Sequence, residues 1–365
     1  METGMSSSHS KMTSQARRWW LLLPVVLILS IAGAALWMLH ARHTPPAPIV
    51  PSQSYSEALE IAHDGKPGAA RVLYQQLGRS DLSDIRRAGL LAELANYPSP
   101  QALKLAKADL TSDTQVTRQA AVDAVVGLAP RERRAQLLGP LLDSSESSIR
   151  FLAVRGLLDL SPDELGLFFE PLRDAVREYQ ADLASQPPTG QSLLQLAALY
   201  HHDAEWQRAL DSAREAQRLE PRNLEAILAQ LVPLERLGQG DTAQRLLGEL
   251  LERHPESSLL QHTLGQWLLG HEQQEYALLA LARAVELEPD NAPYRYDLAV
   301  ALHDLGQQEP AQRQLQDLLQ RWPAYRRGRV LLINYWKESG QLQNVQVLLA
   351  ELEQQNPDDP ALQAP

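Results

Sequence analysis

From Gly190 to Asp359 the chain repeats one arrangement of apolar, small and polar positions every 34 residues. Pro221, Pro255, Pro289, Pro323 and Pro357 keep that step without slippage, and so do Ala209, Ala243, Ala277, Ala311 and Val345. Leu196, Leu264, Leu298 and Leu332 hold a third register, broken only by the polar Gln230. Gly238, Gly306 and Gly340 hold a fourth, in which Glu272 takes the place of glycine. Small residues let two helices cross closely, glycine suits a tight turn, and proline stops a helix. The pattern predicts five helical hairpins, at 190–223, 224–257, 258–291, 292–325 and 326–359.

The clearest copy runs SLLQHTLGQWLLGHEQQEYALLALARAVELEPDN, Ser258 to Asn291. In period and in its small, turn and proline positions it resembles the tetratricopeptide repeat. The resemblance implies an all-α fold, an alpha-alpha superhelix, and a protein-binding scaffold rather than an enzyme.

A looser pattern precedes it. Residues 55–79 read as two short helices about Asp64–Pro67, with Gly65, Ala70 and Leu77 at the repeat's turn, small and late-helix positions, a degenerate hairpin of the same kind. Over 80–189, Arg86, Arg118 and Arg150 lie 32 apart, and Asp81, Asp113 and Ser145 each precede them by five. VTRQAAVDAVVGL (116–128) aligns without a gap on SIRFLAVRGLLDL (148–160). A polar turn, an arginine and a small-apolar helix resemble HEAT repeats, with partner helices expected at 101–110, 131–142 and 163–184. Asp113 and Ser145 are expected to cap the helices that follow, and Arg118 and Arg150 to tie stacked hairpins together.

At the other end of the pattern, Trp19 to Leu39 is 21 residues without a charge, long enough for a helix to span a bilayer, with Trp19, Trp20 and Trp37 near its ends. A cleaved signal peptide is the competing reading, but its apolar region is usually shorter, about 7–15 residues. The segment reads as a single transmembrane anchor after a tail at 1–18. Lys11, Arg17 and Arg18 precede it and Arg42 follows closely. This bias places the N-terminus in the cytoplasm and the solenoid outside the inner membrane, in the periplasm; a cytoplasmic solenoid is the alternative. The stretch 40–54, with TPPAPIVPSQS, reads as an extended proline-rich linker. The tail at 360–365 is too short to cap the array.

Composition narrows the function. Hydrophobic residues make up 44% and charged residues 22%, so most of the chain can pack a core. A net charge of −11 disfavours nucleic acid, whose phosphates need clustered Lys and Arg. Without cysteine there is no disulfide, thiol chemistry, Cys-ligated zinc or attached c-type haem. No phosphate-binding loop, GxSxG or HExxH occurs, so neither catalysis nor a cofactor is expected. The His201-His202-Asp203 cluster reads as surface or groove histidines without metal, since adjacent helical positions point about 100° apart. Asp358-Asp359 and Glu351/Glu353 read as solvated helix ends and faces, and Arg326, Arg327 and Arg329 as a solvated helix start.

The repeat register turns the resemblance into a candidate site. In tetratricopeptide proteins ligands lie against the first helix of each repeat. Here that implies Leu194, Ala198 and His201 from the first copy, and Leu228, Val232 and Glu235 from the second. Leu259, His262, Gln266 and Leu269 follow from the third, Tyr296, Val300 and His303 from the fourth, and Val330 and Asn334 from the fifth. Chaperone-binding members clamp a terminal carboxylate with Lys and Asn; Leu194, Ala198, Ala229, Leu259 and Thr263 stand there instead, so that clamp is absent. The remaining track, largely apolar, suits an apolar or amphipathic segment of a partner protein.

Residues 165–359 are also similar to the HEAT and tetratricopeptide module of bacterial multihaem c-type cytochromes, through FFEPLRDAVREYQADL (168–183) and LEPDNAPYRYDLAVALHDLG (287–306). Those proteins carry CxxCH haem sites and this chain has no cysteine, so it is no cytochrome. The layout also resembles membrane-anchored tetratricopeptide proteins of cytochrome c maturation and of secretion machinery. It implies either an assembly factor for exported clients or a fixed subunit of a secretion, polysaccharide or respiratory complex in the envelope.

Overall fold

A computed structural model describes residues 54–363. The expected tail, anchor and nearly all of the linker lie outside the described residues. Within them every regular element is helical, and no helix is long and apolar enough to cross a membrane.

The chain opens with a hairpin of α1 (Tyr55–His63) and α2 (Ala69–Leu77). Then come α3 (Asp84–Glu93), α4 (Pro100–Ala108), α5 (Gln115–Leu128), α6 (Arg131–Leu138), α7 (Ser147–Leu157), the one-turn α8 (Pro162–Leu165) and the long α9 (Phe169–Ser185). The expected partner helix at 163–184 is thus divided. Gly166, at φ 53° and ψ −121°, ends α8 in a conformation that side chains resist, and a 3-10 turn intervenes before α9.

Three arginines stitch this region together: the expected Arg118 and Arg150, joined by Arg87 rather than by the equally spaced Arg86. Each is the fourth residue of its helix: Arg87 in α3, Arg118 in α5 and Arg150 in α7. Each donates to carbonyls of its own preceding turn: Arg87 to Leu77 (3.0 Å), Arg118 to Ser112 (2.7 Å) and Arg150 to Ser144 (2.5 Å). Each also reaches onward, to Asp109, to the Ser148 hydroxyl and to Glu178 respectively. Arg86 is one position and about 100° away on the helix; it lies over the Tyr55 ring instead, 5.3 Å from its centre. The expected caps are also displaced. Thr114 and Glu146, not Asp113 and Ser145, occupy the N-cap positions, and neither bonds a helix N–H through its side chain.

From residue 190 the helices alternate in length. They are α10 (Gly190–His202), α11 (Trp206–Leu219), α12 (Leu224–Leu228), α13 (Leu231–Arg236), α14 (Gly240–Arg253), α15 (Ser258–Gly270), α16 (Gln274–Leu287), α17 (Ala292–Asp304), α18 (Gln308–Arg321), α19 (Arg326–Glu338) and α20 (Leu342–Gln355). First helices have 13 residues and second helices 14, except where α12 and α13 replace a single first helix. Ala209, Ala243, Ala277 and Ala311 are fully buried, so the helices of each hairpin meet at a small residue. The turn inside each hairpin needs a left-handed residue. Gly238, Gly306 and Gly340 supply it at φ 73–74°, but Ala204 (57°) and Glu272 (59°) occupy the same place against the preference of L side chains.

The two ends of this helical stack meet. The Gly68 N–H donates to the Gln354 carbonyl at 2.7 Å, and the Asn356 amide donates to the Pro98 carbonyl at 2.8 Å. Gly65 sits so close that a Cβ there would lie 2.9 Å from the Ala324 nitrogen. Ala324 shares one buried cluster with Ala62, Leu73 and Tyr97. The short C-terminal tail does not finish the array alone; the first hairpin covers its end.

Candidate partner-binding clefts

The interruption between α12 and α13 has a plain chemical origin. Pro233 has no N–H to offer the Ala229 carbonyl, four residues earlier, so the helix cannot continue through this point. Gln230 fills the break: it is buried, and its amide donates to Gln217 Oε1 (2.7 Å) and to the Ala226 carbonyl (3.3 Å). Polar residue and proline together explain why the leucine register lapses in this copy.

A cleft opens on each side of the broken helix. One, of ≈ 300 Å³, is lined by Leu194, Ala197, Ala198, His201, Glu225, Leu228, Ala229, Val232 and Pro233. The other, of ≈ 320 Å³, is lined by Leu228, Leu231, Val232, Glu235, Thr263, Gln266, Trp267, Gly270 and His271. Leu228 and Val232 belong to both. Val232 is 43% exposed and Leu259, on the neighbouring α15, is 39% exposed, a large solvent share for apolar residues. His201 packs edge-on against Trp206, 5.2 Å away, and burial, then Arg236 and His202, hold its pKa below the ordinary 6.5.

The structure brings Leu194, Ala198, His201, Leu228, Val232, Glu235 and Gln266 together around these clefts. Farther along, the track changes character. His262 bonds Asp297 at 2.8 Å and stacks on Tyr294. His303 bonds Glu338 at 2.9 Å and stacks on Tyr335. Both pairs step from one first helix to the next, so their side chains serve repeat stacking. Tyr296 meets Tyr325 edge-on beneath Arg327, and Leu269 packs beside the buried residues of its own hairpin. Val300 and Val330 are half-buried, Asn334 is exposed, and none of the three lines either cleft.

Two further expectations need correction. Asp359 is not solvated: it is fully buried, bound through both oxygens to Arg326 (2.6 and 2.7 Å). Nor is the arginine cluster a loose helix start. Arg329 is 3% exposed and pairs with Glu351 (2.6 Å) while donating to the Pro323 carbonyl. Only Arg327 of the three is exposed.

Trp267 and His271 wall one cleft, although neither is among the groove positions that the repeat register implies. Their rings stack at 3.8 Å, and Glu235 accepts from Trp267 Nε1 and lies 3.3 Å from His271 Nε2. Their spacing of four on one helix was the available signal. Among the described residues no group of three or more His, Asp or Glu is placed to hold a metal.

No protein-family model matches the chain, and no curated protein does. Solved structures are similar to about half of it. A crystal structure of MamA is 16% identical, covers 44% of this chain and 94% of its own, and gives a TM-score of 0.36. YrrB, described as a TPR protein with an unusual peptide-binding site, is 20% identical over 52% of this chain and 97% of its own, at 0.34. TTC0263, a thermophilic TPR protein of Thermus thermophilus, is 22% identical over 48% and 95%, at 0.33.

Proposed function

We propose that this chain is a non-catalytic protein-interaction scaffold, built from tetratricopeptide repeats with HEAT-like hairpins before them. It binds an apolar or amphipathic segment of a partner protein against α10, α12–α13 and α15. The observation that carries this reading is Val232, an exposed valine shared by two adjoining clefts at the one broken helix of the array. Desolvating such apolar surface favours association by roughly 25 cal/mol per Å², before association costs are subtracted. The uncharged stretch 19–39 supports attachment to the inner membrane, and the flanking charges support a periplasmic scaffold. In that setting the partner is an exported protein or a component of an envelope complex in assembly.

The test places a photocrosslinking residue at Val232 or Leu259 of the full-length chain in its native membrane. Partners captured there are then compared with those captured after Val232→Asp and Leu259→Asp are introduced singly. Both side chains are exposed, so circular dichroism and Tm should stay unchanged while capture is lost. Undiminished capture by the two acidic variants would overturn the reading.

A further inference from the structure

A third cleft, of ≈ 510 Å³, lies where α5, α7, α9 and α10 come together, and its chemistry is unlike the other two. Gln115 and Gln119 from α5 form one wall and Gln191 and Gln195 from α10 another. Between them are Ser148, Leu152 and Arg155 of α7, and the stacked rings of Phe151 and Tyr179, 4.2 Å apart. No aspartate or glutamate lines it.

Several of the polar side chains here are unspent, although the Ser148 hydroxyl already accepts from Arg118 at 3.4 Å. Tyr179 donates its hydroxyl proton to Gln195 Oε1 at 3.3 Å, which orients that amide and leaves its N–H donors available. Among the described residues the side chains of Gln115, Gln119, Gln191 and Arg155 have no hydrogen-bond or ion-pair partner. Arg155 differs in this from Arg118 and Arg150, on the same two inner helices, which are consumed by turn carbonyls.

A glutamine amide offers both donors and an acceptor, the complement of one peptide group. Residues four apart on a helix have Cβ atoms about 5–6 Å apart. Every second residue of an extended chain is about 6.6 Å further on, at roughly 3.3 Å per residue. Each glutamine pair therefore has the spacing to bond alternate peptide groups of an extended segment. The guanidinium, with no acid among the residues that line the cleft, calls for an anion, and its planar fork matches a carboxylate.

We infer that the cleft between α5, α7, α9 and α10 binds an extended peptide segment bearing a carboxylate. Its glutamines hold the main chain and Arg155 holds the acid group. The inference rests on the reading of the chain as a peptide-binding scaffold, but not on the two apolar clefts. The carboxylate comes from a chain terminus or from an Asp or Glu side chain; both present the same group to Arg155.

The experiment applies a synthetic library of ten-residue peptides, one half with free and one half with amidated C-termini, to the full-length chain held in mild detergent. Retained peptides are read by mass spectrometry for wild type, Arg155→Gln, Gln119→Ala and Val232→Asp. Wild type should enrich carboxylate-bearing peptides. Arg155→Gln should cut that enrichment roughly tenfold, the size of one charge-assisted hydrogen bond, while sparing neutral peptides. Gln119→Ala should weaken retention of acidic and neutral extended peptides alike. Enrichment confined to the free-acid half assigns the carboxylate to a chain terminus; enrichment in both halves assigns it to a side chain, and either supports the inference. Val232 lies outside this cleft, so Val232→Asp should leave the acid preference intact; undiminished retention of apolar peptides by that variant would sink only the apolar-cleft reading. Wild type without acid enrichment, or Arg155→Gln with undiminished enrichment, overturns the inference. Arg155 is exposed, and an unchanged circular dichroism spectrum verifies that its variant folds.

Discussion

Arg326 closes both ends of its guanidinium on the fully buried carboxylate of Asp359, 33 residues further on, at 2.6 and 2.7 Å. Asp359 also accepts from the Ala361 N–H, so the acid fastens the start of the last first-helix to the chain that leaves the array. Removing one partner of such a pair strands a charge away from water, at a cost of about 3–5 kcal/mol. Arg326→Ala should lower stability on that scale in urea unfolding. The double variant Arg326→Leu with Asp359→Leu should be less damaged, since no charge is left behind. A double variant at least as unstable as Arg326→Ala would contradict this account.

Ala204 and Glu272 sit where three other hairpins have glycine, each at a positive φ. A side chain in the left-handed region costs roughly 1–2 kcal/mol, offset in part by the greater freedom of an unfolded glycine. Glu272→Gly and Ala204→Gly should therefore each stabilise the protein by about 0.5–1 kcal/mol and add when combined, being in separate turns. Thermal unfolding of the two single variants and the pair checks this.

His201 ties the site to pH. Its folded pKa is lowered, by burial first and then by Arg236 and His202. The folded state therefore favours the neutral ring. Its contribution is complete above pH 6.5 and is lost as pH falls through the lowered folded value. A proton NMR titration should place His201 below 6.5, and Arg236→Gln should move it upward. Partner capture at Val232 should weaken as the ring charges. A midpoint at or above 6.5 in the wild type would disprove the assignment.

The sequence carried the second half of the fold well, because proline, small residue and turn glycine recur at a fixed step and each has a local physical meaning. It was less informative where phase mattered. The 32-residue spacing favoured Arg86, yet the fourth position of α3 belongs to Arg87, and a shift of one residue turns a helix by about 100°. Pro233 was visible and marked the break that shapes both apolar clefts; the lapse at Gln230 was seen without that cause. Burial of Asp359 and Arg329 left no trace in composition, since a charged residue paired inside reads like one at the surface. The contact of Asn356 with Pro98 spans 258 residues and has no local signature at all.

That last contact alters the statistics of unfolding. In a linear array each unit leans only on its neighbours, and the outermost units, having one neighbour each, fray first. Here the hairpin at 55–77 and the helices at 326–355 are neighbours of one another through Gly68–Gln354 and the Gly65–Ala324 approach. The lattice of nearest-neighbour couplings has no terminus from which melting can spread without first breaking that seam. Opening elsewhere has to disrupt two interfaces at once, so the seam sets where cooperativity begins.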